Sequence, residues 1–150
     1  MKIVFLDHFG CFASVVLAAS YSGVLSPKLV KTKDILNLPH FAEVKNIQPG
    51  KLYFLGKDQA GNDYYTLGAG FYSSFIINVV WPDLKKLSEI KGRIVLYDVN
   101  SLNSFLLIYF EILSQGRFRK ITKYFWALWF IHFKRKTIEN VTKVDFANHY

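Results

Sequence analysis

Two short apolar runs, one at the start of the chain and one past its middle, share the same pattern. Residues 2–6 and residues 93–97 are each dominated by aliphatic and aromatic side chains, and an aspartate follows each run. A short loop and an apolar stretch of helical length come next in both places. Continuous apolar runs of this length are typical of strands buried on both faces of a parallel sheet. The pattern predicts that the two strands are adjacent and parallel, and that each leads into a helix.

The segments between these runs predict a β-hairpin and further helices. Residues 51–57 and 63–67 are strand-like, and their connection contains Gly61 and Asn62, which adopt positive φ readily. The predicted helices are residues 15–22 with Ser14 as the cap, 32–36 with Thr32 as the cap, 71–80, 82–92 and 102–114. Residues 124–133 are predicted to be a late buried strand, and residues 134–144 a terminal helix.

Strands that alternate with helices predict a mainly parallel sheet covered on both faces, with one antiparallel hairpin. The predicted fold class is α/β, a single three-layer αβα domain over residues 1–150 of the Rossmann-like or P-loop-like kind. The chain has 150 residues, of which 51% are hydrophobic and 20% charged, a composition that fits one globular domain. No linker is predicted within it.

The cysteine content and the N-terminal stretch bear on the compartment. Cys11 is the single cysteine, which excludes an internal disulfide and a Cys-rich zinc site. It agrees with a reducing compartment, so a cytoplasmic location is predicted. Residues 8–27 lack formal charge, and the start of the chain, Met-Lys before Ile-Val-Phe-Leu, resembles that of a signal peptide ending near residue 20. Asp7 would then lie inside the apolar part of that peptide, which argues against one. Serines and glycines make the same stretch poor for crossing a bilayer, so no membrane span is predicted.

Polar residues beyond the two matched strands form the candidate site. In an open parallel sheet, ligands bind outside the carboxyl ends of the strands, and helix N-termini present amide groups that suit an anion. The sequence therefore predicts an anion- or nucleotide-binding site, with a phosphate or other polyanion as ligand. Its members are Asp7, His8, Gly10, Cys11, Ser14 and Asp98. The alternative is that these residues only end a strand and cap a helix, as in any βα unit.

No motif assigns a reaction to this site. The loop lacks G-x-x-x-x-G-K-[ST], and Leu17 occupies the position of the arginine in Cys-x5-Arg phosphatases. The histidines are scattered singly, so no metal site is predicted. Cys11 is more simply a small buried apolar residue than a nucleophile. The catalytic residues and any cofactor are left open.

Positive charge is concentrated near the C-terminus. The formal net charge is +8, and residues 117–143 hold eight basic side chains against one acidic one. We refer to this stretch as the basic region. Its predicted binding residues are Arg117, Arg119, Lys120, Lys123, Lys134, Arg135 and Lys136. Such a cluster attracts phosphates, acidic proteins or anionic membranes, with a plain solvated surface as the alternative.

Four stretches of the chain are similar to one known family. The first is MKIV at 1–4, with the following loop and the Ala-rich helix that ends in SGVL at 22–25. The second is DILNLPHF at 34–41. The third is GKLYFLGKD at 50–58 with GND at 61–63 and YTLG at 65–68, and the fourth is VLYD at 95–98. Over nearly its whole length the chain resembles the bacterial family known as "domain of unknown function 3189". The resemblance implies the fold and the compartment more than an activity.

The first loop departs from the pattern of that family, which resembles Tyr-Gly-Gly-x-His-Ser-Ser. On residues 8–14, Gly10 and Ser14 match, whereas Phe9, Phe12 and Ala13 replace a glycine, the histidine and a serine. The resemblance therefore implies a divergent member whose loop has lost much of its polar character.

Three functions are consistent with the sequence. The favoured hypothesis is a non-catalytic binding or regulatory partner, acting with another protein or with a sister copy of the same family. The second is a small phosphoryl- or nucleotide-handling enzyme that uses the first loop. The third is a nucleic-acid binder that uses the basic region with Tyr124, Trp126 and Trp129. The first is favoured because the loop has lost polar residues and no catalytic constellation stands out.

Overall fold

The fold is built on an open four-stranded sheet. The structure is a computed structural model that describes residues 1–26, 30–83, 94–102, 105–114 and 116–144, without the side chains of residues 101, 105 and 133–144. Strands β1 to β4 span Lys2–Asp7, Leu52–Lys57, Asp63–Gly68 and Ile94–Asp98. Their order is β2-β3-β1-β4, with β1 parallel to both β3 and β4 and with β2 antiparallel to β3. The predicted parallel pairing of the two apolar runs is confirmed.

The predicted hairpin is also confirmed, and Asp58 organises its turn. Asp58 accepts hydrogen bonds from the backbone amide of Asn62 at 2.8 Å and from the Tyr64 hydroxyl at 2.9 Å. Burial acts to raise the pKa of Asp58, but the hydrogen bonds from Asn62 and Tyr64 outweigh it and lower that pKa. Gly61 supplies the positive φ of the turn, at 81°, whereas Asn62 does not adopt one.

Helices connect and cover the strands. They are α1 at Ala13–Tyr21, α2 at Thr32–Leu36, α3 at Ser73–Phe75, α4 at Phe105–Leu113 and α5 at Arg119–Val144. A 3-10 turn, Gly70–Tyr72, precedes α3, and a π-helical segment, Ile76–Val80, continues it. The predicted helix over 71–80 is therefore present as a composite of three helix types. The helix predicted from Pro82 to Gly92 lies mostly outside the described residues.

Three predictions about local structure are wrong. Residues 124–133 are not a strand, because α5 runs through them without a break from Arg119 to Val144. An almost uniformly apolar run has no period that separates a strand from a helix, and only packing decides between the two. Ser14 does not cap α1, because it lies inside the helix after Phe12. The cap of α2 is likewise Lys31 rather than Thr32, which is its first residue.

The core lies on both faces of the sheet. Side chains of β1 alternate between the two faces, so Ile3 and Phe5 join the larger core with α1, while Val4 and Leu6 contact Ile76 and Ile77 on the opposite face. In α1 the side chains from residue 13 to residue 20 are all buried. Such a helix, apolar on every side, is found inside a protein rather than on its surface. This arrangement fixes β1 and the loop that follows it at the centre of the molecule.

Candidate functional site

The carboxyl ends of β1, β3 and β4 meet at one edge of the sheet. Because the three strands are parallel, Asp7 lies beside Gly68 in the β1–β3 register, and Asp98 pairs with Leu6, one residue before Asp7. The loop after β1 runs along this edge and binds the segment after β3. The backbone amide of Ala69 donates to the Asp7 carbonyl at 2.9 Å, and that of Gly70 donates to the His8 carbonyl at 3.0 Å. The predicted site residues are therefore gathered at the expected edge.

Asp7 is directed into its own loop. Its side chain is fully buried and accepts hydrogen bonds from the backbone amides of Gly10 and Ser14, the latter at 2.9 Å. Burial raises the pKa of Asp7, and the hydrogen bonds from Ser14 and Gly10 act in the opposite direction. Amide groups at the start of α1, which would otherwise suit an anion, thus already bind a carboxylate of the same chain.

Glycines hold this loop against β3. A Cβ on Gly10, whose φ is 73°, would overlap the backbone of Gly68, and a Cβ on Gly68 would lie 2.8 Å from the Phe9 carbonyl oxygen. Thr66 Oγ1 donates to the Gly10 carbonyl at 2.8 Å and contacts the Ser14 hydroxyl. The polar groups of Gly10 and Ser14 are therefore directed towards the protein itself.

Cys11 and Phe12 belong to the core. Both are fully buried, and the Phe12 ring packs against Phe41 and Trp126. Burial, followed by the nearby carboxyl groups of Asp7 and Glu111, raises the pKa of the Cys11 thiol far above its ordinary value. A thiol in this state is a poor nucleophile, which agrees with the interpretation of Cys11 as a small buried residue.

His8 and Asp98 line a cavity of about 240 Å³ at the same edge of the sheet. We call it the His8–Asp98 cleft. Its lining residues are His8, Gly70, Phe71, Ser73, Ser74, Asp98, Asn100 and Ile108. The centroid of the His8 ring lies 4.3 Å from the centroid of the Phe71 ring, and Phe71 is 86% exposed. His8 Nδ1 is buried and has no hydrogen-bond partner in the part of the chain that the structure describes.

A connected set of polar groups fixes Asp98 in the cleft. Asp98 Oδ2 accepts hydrogen bonds from the hydroxyls of Ser73 at 2.9 Å and Ser74 at 3.3 Å, and Oδ1 accepts one from the Asn100 amide at 2.9 Å. The Asn100 side chain also donates to Ser73 Oγ at 2.7 Å. Ser73, Ser74 and Asn100 were not predicted from the sequence. Their positions, just after the ends of β3 and β4, are the pattern by which they could have been found.

A buried glutamate, Glu111, was also missed. It is fully buried on α4, and its Oε1 accepts a hydrogen bond of 3.1 Å from the Trp126 indole. Burial raises the pKa of Glu111 to about 9, and the Asp7 carboxyl adds to that rise. Glu111 is therefore a neutral acid at pH 7. The sequence does contain a signal for Glu111, because it is the one acidic residue in a nine-residue helix that is otherwise apolar.

The basic region lies along a single helix and the turn before it. Arg117 and Lys120 are exposed, and Arg119 and Lys123 are partly exposed. Lys134, Arg135 and Lys136 belong to the same helix α5, with side chains outside the described set. Trp126, a predicted stacking residue for nucleic acid, is fully buried. Within the basic region, the exposed residues that are described therefore cluster at the beginning of α5.

A larger concavity, of about 570 Å³, lies between the end of α1 and α2, next to Leu25, Asp34 and Leu38. Within the described ranges, the buried polar atoms without a partner are His8 Nδ1 and Glu111 Oε2, and neither residue lines this concavity. We therefore take the His8–Asp98 cleft as the better candidate site.

Two other kinds of feature are absent from the described residues. No group of three or more His, Cys, Asp or Glu side chains is placed to hold a metal ion in that part of the chain. Among the same residues, no helix has the length and apolar character needed to cross a membrane.

Comparison with known proteins gives one match. The family model described as "Protein of unknown function (DUF3189)" matches residues 2–145 of the 150-residue chain. No curated protein and no solved structure matches the chain significantly. The match covers nearly all of the chain and agrees with the resemblance found in its four stretches. The chain belongs to the DUF3189 family of proteins of unknown function.

Proposed function

We propose that the protein is a non-catalytic binding module that takes a small polar molecule into the His8–Asp98 cleft. The observation that supports this most strongly is the buried Nδ1 of His8, which has no hydrogen-bond partner among the described residues. A buried polar atom without a partner costs about 1–3 kcal/mol, so native proteins rarely keep one without a reason. A ligand in the cleft would supply the missing hydrogen bond.

The lining favours an uncharged or cationic ligand with hydroxyl or amine donors. Asp98 is an acceptor, and its described neighbours in the cleft include neither lysine nor arginine. The exposed ring of Phe71 offers an apolar face next to His8. A cavity of about 240 Å³ suits a molecule of nucleoside or monosaccharide size rather than a larger cofactor.

The alternative function, a phosphoryl- or nucleotide-handling enzyme, has less support. Phosphoryl transfer depends on positive groups and free amides arranged around the transferring oxygens. Here the amides of Gly10 and Ser14 bind Asp7, and Cys11 is buried. The loop therefore has a structural role in our proposal, and the ligand-binding role passes to His8 and Asp98.

The proposal is tested by saturation-transfer NMR with four nucleosides, their 5′-monophosphates, glucose and ethanolamine as probes. We expect transfer to unphosphorylated probes, and we expect Asp98→Asn to reduce it strongly because the acceptor for their donors is weakened. Asp34→Asn is the matched control, since Asp34 is an exposed aspartate that does not line the cleft. A preference for the monophosphates, or transfer that Asp98→Asn leaves unchanged, would refute the proposal. So would the absence of transfer to every probe.

The finer aspects of the fold and location are part of the same proposal. Core packing on both faces of the sheet supports a single three-layer αβα domain, with a ligand site at the carboxyl edge as in Rossmann-like folds. The single buried Cys11 supports a cytoplasmic location. A regulatory role beside a sister copy with the complete loop is consistent with the altered residues Phe9, Phe12 and Ala13.

A further inference from the structure

Helices α4 and α5 expose apolar side chains where surface helices ordinarily expose polar ones. We define the α4–α5 apolar face as the apolar side chains of this pair, and of Phe118 just before α5, that are between 46% and 61% accessible. They are Tyr109, Ile112, Phe118, Ile121, Tyr124, Phe125 and Leu128. Contiguous apolar surface of this kind marks an interaction site in a folded protein.

The spacing of these residues shows that the face is a regular feature of the helices. In α5, Tyr124 and Phe125 lie three and four residues after Ile121, and Leu128 lies four and three residues after them, so all four are on one side of the helix. The opposite side is anchored in the core by Trp126, which is fully buried. Phe110 of α4 stacks on Phe125 at 6.2 Å between ring centroids, which joins the two helices.

Positive charge accompanies this face. Arg117 and Lys120 are exposed, and Arg119 and Lys123 are partly exposed, at the beginning of the same helix. Glu111, the acidic residue among the described side chains of the two helices, is buried and points to Trp126. The exposed surface thus combines aromatic and aliphatic side chains with positive charge, without a described negative charge to balance it.

We propose that the α4–α5 apolar face docks on an anionic membrane surface, with its apolar side chains in the headgroup boundary and its basic residues on lipid phosphates. At membrane interfaces, aromatic and aliphatic side chains lie at the boundary of headgroups and acyl chains, while lysine and arginine contact anionic headgroups. The docking is peripheral, since the helix lies on the surface and does not cross it. It is independent of the ligand proposed for the His8–Asp98 cleft.

Two other partners fit the same surface less well. A second copy of the chain would bring the same basic residues together, and like charges in an apolar contact are unfavourable. Nucleic acid would match the charge, but bases stack on exposed rings, and Ile112, Ile121 and Leu128 cannot provide that contact. An anionic lipid surface is the partner that uses both the aliphatic and the basic residues.

The test is flotation of the purified full chain with lipid vesicles. We expect it to bind vesicles of phosphatidylcholine containing about one third phosphatidylglycerol at least tenfold more strongly than pure phosphatidylcholine. Ile121→Ser with Leu128→Ser should abolish that binding. Arg117→Ala with Lys120→Ala should weaken it about ten- to thirtyfold, because each basic residue near the surface contributes separately.

Matched controls remove the same kinds of side chain elsewhere. Leu52→Ser with Phe54→Ser removes exposed apolar residues from β2, and Lys33→Ala with Lys45→Ala removes two exposed basic residues. Both should bind as the wild type does. Circular dichroism checks that each variant is folded, and the basic pair still tests the proposal if the apolar pair unfolds.

Three outcomes would overturn the proposal. One is equal binding to neutral and anionic vesicles, or none to either. Another is a wild-type dimer that Ile121→Ser with Leu128→Ser converts to monomer, which would assign the face to a second copy. The third is salt-sensitive binding to single-stranded DNA that exceeds vesicle binding and depends on Arg117 and Lys120.

Discussion

The carboxylate of Asp7 accepts a 2.9 Å hydrogen bond from the backbone amide of Ser14, seven residues along the chain. The amide of Gly10 bonds the other oxygen of the same carboxylate. One side chain at the end of β1 therefore both shapes the following loop and caps the helix after it. This geometry explains why the loop has a structural role, although its sequence resembles an anion-binding one.

Replacing Asp7 should lower the free energy of unfolding far more than replacing an exposed aspartate that has a similar role. Asp7→Ala leaves two amides without their acceptor in the core, and we expect a loss of about 2–5 kcal/mol in the free energy of unfolding. Asp34 also accepts a backbone amide bond at the start of a helix, from Lys31 at 2.9 Å, but it is exposed. Asp34→Ala should cost only about 0.5–1 kcal/mol. Urea unfolding followed by circular dichroism measures both, and equal losses would contradict the prediction.

The contact between Gly10 and Gly68 should make Gly10 intolerant of any side chain. Gly10→Ala combines a positive φ with an overlap on the Gly68 backbone, so we expect the free energy of unfolding to fall by about 3 kcal/mol or more. Gly61→Ala is the matched control, because Gly61 also has a positive φ but nothing lies within 4 Å of its added Cβ. It should lose only about 1–2 kcal/mol, from backbone strain alone. Thermal unfolding of the two variants separates overlap from strain, and similar losses would argue against the contact.

Glu111 should make the protein less stable as the pH rises. Its pKa is raised from 4.5 to about 9 in the folded state, mainly by burial. The unfolded chain therefore releases the proton at lower pH than the folded chain does. The stabilising contribution is complete below about pH 4.5 and is lost as the pH rises towards 9. Between about pH 5.5 and 8, the wild type should lose about 1 kcal/mol per pH unit relative to Glu111→Gln. Urea unfolding of both proteins across this range provides the test, and parallel curves would show that Glu111 titrates normally.

Purified protein should show no ATPase, GTPase or phosphatase turnover above background. The amides of the first loop bind Asp7, and the described lining of the His8–Asp98 cleft has no lysine or arginine to stabilise a transferring phosphoryl oxygen. Release of inorganic phosphate from ATP, GTP and p-nitrophenyl phosphate is the measurement. Turnover that copurifies with the chain and disappears in Asp98→Asn would instead support the enzyme hypothesis.

Local pattern was sufficient to predict the sheet. Residues 2–6 and 93–97 are continuous apolar runs, which is the arrangement that a central parallel sheet requires because both faces of the strand are covered. The hairpin followed from Gly61 between two strand-like segments, since a tight turn needs positive φ. The location of Asp7, His8 and Asp98 at one edge followed from the parallel pairing alone.

The remaining features depend on contacts between distant residues, which the sequence does not display. Residues 124–133 are helical because Trp126 and Phe130 pack into the core while Tyr124 and Leu128 stay exposed, and a uniformly apolar run gives no period to show this. Whether Asp7 binds a ligand or its own loop depends on where the Ser14 amide points. What the sequence determined by itself is the four strands of the sheet and their edge, although it also predicted a strand at 124–133 that is part of α5. Only the tertiary structure decided which polar groups there are already bonded and which, like His8 Nδ1, have no partner among the described residues.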